Sequence, residues 1–134
     1  MATVADFDGD GDDDLLWCHQ QNGKNYLYAS DVTANTTHAT RYINSVPDMD
    51  WRIVGAGDFD GDTNADILWH HQTSGLTYIY FMNGAQVTSA KPFMSVPPIW
   101  QVAAVKDFDG DSKADIFWRN SDSGENYLSL MNGH

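Results

Sequence analysis

The chain of 134 residues has one cysteine, one glutamate, and seven lysines and arginines against nineteen acidic residues. Each shortage closes off a class of answer. With Cys18 alone there is no intramolecular disulfide framework, which leaves that residue as a buried or half-buried strand thiol or as the partner of a cysteine on another chain. A formal net charge of −12 removes the basic surface that nucleic acid or an anionic membrane would need. No apolar run approaches the ~18 residues of a membrane span. No stretch keeps a 3.6-residue apolar period beyond two turns, so helices are not expected. Met1 stands five residues ahead of the first acidic phrase, too close for a signal peptide to precede it, and so abrupt a start is expected of a piece excised from a longer protein.

What the chain does have is a core-forming composition, 42% apolar and 13% aromatic, which argues against disorder despite the charge. It also has one acidic phrase written three times: Asp6-Phe-Asp-Gly-Asp-Gly-Asp-Asp-Asp14, Asp58-Phe-Asp-Gly-Asp-Thr-Asn-Ala-Asp66 and Asp107-Phe-Asp-Gly-Asp-Ser-Lys-Ala-Asp115. Carboxylates at positions 1, 3, 5 and 9 are too close to stay ionised without a cation. A hard divalent ion that takes six to eight oxygens relieves that repulsion, and calcium suits a flexible loop of protein oxygens better than magnesium. The expected ligands are Asp6, Asp8, Asp10 and Asp14 in the first loop, Asp58, Asp60, Asp62 and Asp66 in the second, and Asp107, Asp109, Asp111 and Asp115 in the third. At position 7, Asp12, Asn64 and Lys113 are expected to offer the backbone carbonyl, which explains how a lysine is tolerated there. About three calcium ions per chain are therefore expected, and they would halve the net charge. Position 6 is Gly11 in the first loop but Thr63 and Ser112 in the others, so only the first is free to take a positive φ. An EF-hand is excluded, because it needs a bidentate glutamate at position 12 and flanking helices. Position 12 here is Trp17, Trp69 and Trp118, within strand-like sequence.

The flanks repeat too. Each loop leads into an apolar strand ending in tryptophan (Leu15-Leu16-Trp17, Ile67-Leu68-Trp69, Ile116-Phe117-Trp118). A glycine follows six residues later (Gly23, Gly75, Gly124), and a tyrosine three beyond that (Tyr26, Tyr78, Tyr127). Met82-Asn83-Gly84 and Met131-Asn132-Gly133 mark a further turn. Ser45-Val46-Pro47 with Trp51, and Ser95-Val96-Pro97 with Trp100, lead into the second and third loops. The spacing between loops is 52 and then 49 residues, a length that reads as propeller blades of several short strands. The expected fold is all-β, one array of three repeats over residues 1–46, 47–96 and 97–134, built as blades of four antiparallel strands, the third stopping after its Met-Asn-Gly without an outer strand. Small residues in the lead strands (Gly55, Gly57, Ala103, Ala104) suit an inner position near a propeller axis, where large side chains would collide. The acidic loop then joins the inner strand to the tryptophan strand.

These loops, the Asp-Ile/Leu-Leu/Phe-Trp strands and the Met-Asn-Gly turns resemble the FG-GAP/VCBS repeat family, best known from the calcium-bearing β-propeller of integrin α chains. The resemblance spans nearly the whole chain. It implies four-stranded blades with calcium in the hairpin between the first and second strands, and a secreted or cell-surface setting. It also implies recognition or adhesion, with a protein or glycan as ligand. Related propellers occur in lectins and in accessory parts of secreted enzymes. The first repeat departs from the pattern, with Ala29-Ser-Asp-Val32 in place of Met-Asn-Gly and a polar insertion through Thr40. Three blades cannot close a ring, since closed propellers need about four to eight. The chain is thus expected to be part of a longer propeller or to complete a ring as a homo-oligomer, most simply a dimer of six blades. No catalytic residues are expected, because the aspartates are committed to metal and Glu125 is the lone glutamate. His19, His70 and His71 read as strand-end polar residues, and Trp17, Trp69 and Trp118 as blade packing. Trp51 and Trp100, near the blade junctions, are the candidates for a ligand groove. The expected role is a noncatalytic calcium-binding recognition or structural module. The alternatives are an accessory segment of a secreted carbohydrate-active enzyme or a lectin.

Overall fold

The computed structural model describes residues 2–7, 9, 14–18, 23–29, 39–45, 50–83 and 86–130. Among them all regular structure is strand, arranged as three consecutive antiparallel meanders. The first sheet comprises β1 (Ala2–Ala5), β2 (Asp14–Cys18), β3 (Lys24–Ala29) and β4 (Ala39–Ser45). The second comprises β5 (Trp51–Gly57), β6 (Asp66–His71), β7 (Leu76–Asn83) and β8 (Gln86–Ser95). The third comprises β9 (Trp100–Lys106), β10 (Asp115–Asn120) and β11 (Asn126–Ser129). Sequential hairpins need only local turns, and the predicted turns ending at Gly75 and Gly124 are in place. In the Gln72-Thr-Ser-Gly75 turn, the Gly75 amide donates to the His71 carbonyl at 3.0 Å, and Gly75 itself has φ +80°. A side chain there would also strike the Val96 carbonyl oxygen, 2.6 Å from an ideal Cβ. The third sheet repeats this turn with Gly124 and Asn120.

The expectation of four strands per repeat holds for the first two sheets. The third shows three among the described residues, ending at Ser129, and its Met131-Asn132-Gly133 turn lies outside them. The polar insertion of the first repeat also lies largely outside them.

The sheets stack face to face through two apolar layers. Phe7 and Leu16 of the first repeat meet Ile53, Ala65, Ile67, Trp69 and Met82 of the second. Phe59, Leu68, Ile79, Phe81 and Val96 of the second repeat meet Ala114, Ile116 and Trp118 of the third. The middle sheet is thus covered on both sides, which is why β6 is buried from Asp66 through His70 while β7 alternates buried and half-buried residues. The phenylalanine at position 2 of the first two acidic loops reaches the next sheet: Phe7 and Phe59 are both fully buried. Trp69 and Trp118 are buried as expected, but Trp17 is not. It sits on the outer face of the first sheet, where no preceding sheet covers it.

Leading strands lie side by side, β1 against β5 and β5 against β9. Small residues permit the approach, as the sequence anticipated. A Cβ on Gly55 would lie 2.6 Å from Val105 Cγ2, and one on Gly57 would lie 2.8 Å from Ala114 Cβ and 2.9 Å from Val105 Cγ1. Neither glycine has room for a side chain. Gly57→Val should accordingly destabilise the fold by ~1–3 kcal/mol through overpacking. A urea midpoint equal to that of the parent chain would contradict this packing.

Candidate metal centre

Each acidic loop is the connection between a leading strand and the tryptophan strand beside it, and its first aspartate organises it. In the second loop Asp58 Oδ1 accepts the amides of Gly61 at 2.7 Å and Asp62 at 3.1 Å, while Oδ2 accepts that of Thr63 at 2.8 Å. The third loop repeats the pattern on Asp107, with Gly110 at 2.7 Å, Asp111 at 3.1 Å and Ser112 at 2.8 Å. In the first, Gly9 donates to Asp6 Oδ1 at 2.8 Å. A short polar side chain that captures amides two to five residues ahead winds the chain into a compact turn. The amide of Ser112, with those of Gly110 and Asp111, holds the Asp107 carboxyl below the ordinary carboxylate range.

The last aspartate closes the loop from beneath. Asp14, Asp66 and Asp115 are buried, and each accepts through Oδ2 the amide of the position-2 phenylalanine: Phe7 at 2.9 Å, Phe59 at 3.0 Å and Phe108 at 2.8 Å. Asp66 Oδ1 additionally accepts the Met82 amide at 2.9 Å, tying the loop to the end of β7. Met131 stands at the equivalent place in the third repeat, outside the described residues.

Winding and closure bring the carboxylates together. One oxygen from each of Asp107, Asp109, Asp111 and Asp115 lies within 4.8 Å of the others, and the same holds for Asp58, Asp60 and Asp66. Asp62 is outside the second group; its Oδ1 accepts the Asn64 amide at 2.9 Å. Asp8, Asp10 and Asp12 lie outside the described residues. The side chains at position 7 point to the neighbouring loop: Asn64 Oδ1 lies 2.8 Å from an ideal Cβ on Gly9, and Lys113 Cε 3.4 Å from one on Gly61. A lysine is therefore accommodated at this position by the space beside the previous loop. Backbone bonds reinforce the contact, with the Ala65 amide donating to the Asp6 carbonyl at 2.7 Å and Ala114 to Asp58 at 2.6 Å. The loops form a tied row along one edge of the stack.

One expectation is corrected. Thr63 and Ser112 take positive φ, 76° and 70°, although neither is glycine. Their amides must turn inward to reach the carboxylates of Asp58 and Asp107, and that bond offsets the steric cost of the left-handed conformation. Thr63→Gly should stabilise the chain by up to ~1 kcal/mol, read as a higher urea midpoint at unchanged slope.

The converging carboxylates carry an electrostatic penalty. Burial lifts Asp66 to about 7, against the amides of Met82 and Phe59 that pull it down. Desolvation, with the adjoining Asp62 carboxylate, lifts Asp60 to about 6. Desolvation also raises Asp109, followed by its interaction with Asp111. Clusters of oxygen donors that resist sharing negative charge fit a hard divalent cation such as calcium, which removes the penalty. Without a cation the folded chain holds protons that the unfolded chain has released, so stability should fall as pH rises from ~4 to ~7. With calcium the ion displaces those protons and the trend should reverse. Melting temperatures across that range, in chelator and in calcium, test both signs. A chelated protein whose stability rises over this interval would contradict the assignment.

Trp51 and Trp100 stand elsewhere, opening β5 and β9 at the ends away from the acidic loops. Trp51 makes edge contacts with His71 at 4.9 Å and Tyr78 at 5.5 Å, and with Trp69, Tyr78, Tyr80 and Ala90 it lines a cavity of about 260 Å³. Trp100 lines one of about 200 Å³ with Trp118, Tyr127 and Met94 to Pro97. The two cavities use equivalent residues: Trp51, Trp69 and Tyr78 correspond to Trp100, Trp118 and Tyr127. The sequence favoured packing over sugar stacking for Trp69 and Trp118, and both are buried, the indole Nε1 of each without a hydrogen-bond partner. The histidines of the second repeat are engaged locally. His70 Nε2 lies 2.8 Å from the Val96 carbonyl oxygen, and His71 Nδ1 accepts the Ser74 amide at 3.0 Å.

The FG-GAP-like repeat matches residues 6–69 and the FG-GAP repeat matches residues 99–131, so the two matches include all three acidic loops. Neither a curated protein nor a solved structure matches the chain. The acidic phrase occurs three times in the sequence, two of its loops gather carboxylates between paired strands, and the two matches cover all three: the chain belongs to the FG-GAP repeat family.

Proposed function

We propose that the chain is a noncatalytic, calcium-stabilised module of β-propeller blades serving recognition, adhesion or structural support outside the cell. The observation that carries this reading is the gathering of carboxylate oxygens from Asp107, Asp109, Asp111 and Asp115, and from Asp58, Asp60 and Asp66, each within 4.8 Å. The third phrase shares its residue pattern with the first, which supports about three calcium ions per chain. Short loops with partly exposed carboxylates fit the modest affinities of extracellular calcium modules, and such sites fill only where calcium is near millimolar. The aspartates' commitment to the loops and the local bonding of His70 and His71 favour a noncatalytic role.

Calcium should therefore hold the fold together. With Kd ~0.1 mM and ~1 mM calcium, linkage supplies about 1.4 kcal/mol per site, a substantial share of a small domain's stability. Chelation should lower the melting temperature by many degrees, and Asp109→Ala should reduce the calorimetric calcium stoichiometry by one. A melting curve indifferent to excess chelator would sink the proposal.

A second reading, sugar binding between blades, is favoured by the two equivalent aromatic cavities. Each is lined by flat indole and phenol faces. Aromatic faces suit the apolar C–H face of a pyranose. Titration with a panel of monosaccharides, followed by tryptophan fluorescence, should give saturable binding that Trp51→Ala weakens. Absence of any saturable change across the panel would leave only the first reading.

A further inference from the structure

The same inter-sheet packing that joins the repeats is left half-made at both ends of the described stack, and the two halves are complementary. Phe59, Leu68, Ile79 and Phe81 are buried where the second sheet faces the third. Their equivalents on the third sheet face no further sheet: Phe108 is 45% exposed, Leu128 40%, Leu130 49%, and Phe117 is half-buried beside Phe108 at 6.1 Å between rings. At the opposite end, Trp69 and Trp118 are buried against the preceding sheet, as are Ile67 and Ile116. Their first-repeat equivalents are Trp17, 43% exposed, and the half-buried Leu15. Val4, equivalent to Ala56 and to the packed Val105, is 61% exposed.

We infer that the outer face of the third sheet binds the outer face of the first sheet in a second copy of this chain, with Phe108 entering that face as Phe59 enters the face that carries Ile116 and Trp118. Both halves of the contact are present on one chain, which makes the same contact twice within itself. The surfaces are unlike each other, so a copy pairs head to tail, and contacts of this type close into rings when the rotation permits. Two chains give six sheets, within the four to eight that closed propellers use. The apolar area left exposed on each end is of the kind soluble proteins cover. Charge does not supply the contact: the apolar positions carry it, and calcium in the acidic loops lowers the repulsion between two acidic chains.

The test is molar mass in solution by light scattering, with calcium present and the chain at tens of micromolar. The expected species has about twice the 14.9 kDa of one chain. Phe108→Asp and Trp17→Asp alter exposed side chains, so each variant should fold and should return the mass of a single chain. Mixing the two variants is decisive, because one keeps an intact first-sheet face and the other an intact third-sheet face. The mixture should regain a two-chain species and nothing larger. Wild-type rings of three or more chains, broken by either variant, would also support the contact. A monomeric wild type would overturn it, leaving the face to a following repeat or another partner. Association that Phe108→Asp abolishes and Trp17→Asp does not would overturn the head-to-tail pairing, as would a mixture that stays monomeric.

Discussion

One hydrogen bond recurs in every repeat and the rest of the structure depends on it: the amide of the loop phenylalanine donating to the buried aspartate that ends the loop. Removing a charge-bearing acceptor from beneath a loop amide would leave that amide buried and unpaired, a cost about twice an ordinary hydrogen bond's net contribution. The bond also fixes the base of a loop whose phenylalanine must leave its own sheet and enter the next. Core and cation site are thus two outcomes of one local arrangement. Phe7 and Phe59 are buried between sheets because Asp14 and Asp66 hold the loops that present them.

The arrangement has a cost that the fold accepts. A carboxylate buried beneath others is harder to ionise, and Asp66 and Asp60 are both pushed upward for that reason. An apolar residue in place of Asp66 would avoid the penalty but would leave the Phe59 and Met82 amides without acceptors. The penalty becomes a binding energy once a divalent ion arrives, so a module built this way has its stability coupled to the calcium around it. Bonds from Ala65 to Asp6 and from Ala114 to Asp58 extend the coupling, since the shape of each loop bears on the one before it.

The two ends of the chain's stack differ from its middle only in what lies beside them. Leu68 and Phe117, or Trp69 and Trp17, occupy equivalent positions in equivalent strands, and their burial is decided by whether a neighbouring sheet is present. In repeat architectures stability is shared between units and the interfaces that join them. A terminal unit that keeps the apolar pattern of an internal one is poised to make another interface of the same kind.

Much of this was legible in the residues because the signals are local. Carboxylates within nine residues, a glycine six after each tryptophan and hairpin turns between alternating strands determine loop, turn and strand order without reference to anything distant. Small residues in the leading strands also announced themselves, since nothing larger fits where strands converge. Tertiary structure alone decided the rest. The composition of Thr63 and Ser112 argued against a left-handed turn, yet the carboxylates of Asp58 and Asp107 hold their amides there. Asp62 has the spacing of a ligand but stands outside the cluster, and Lys113 lies against the preceding loop, a placement that depends on how neighbouring loops meet. Trp17 and Trp69 read alike in sequence and differ in burial. A repeat spells out each unit's faces; only packing determines which of them are covered, because burial belongs to pairs of surfaces and the sequence describes them one at a time.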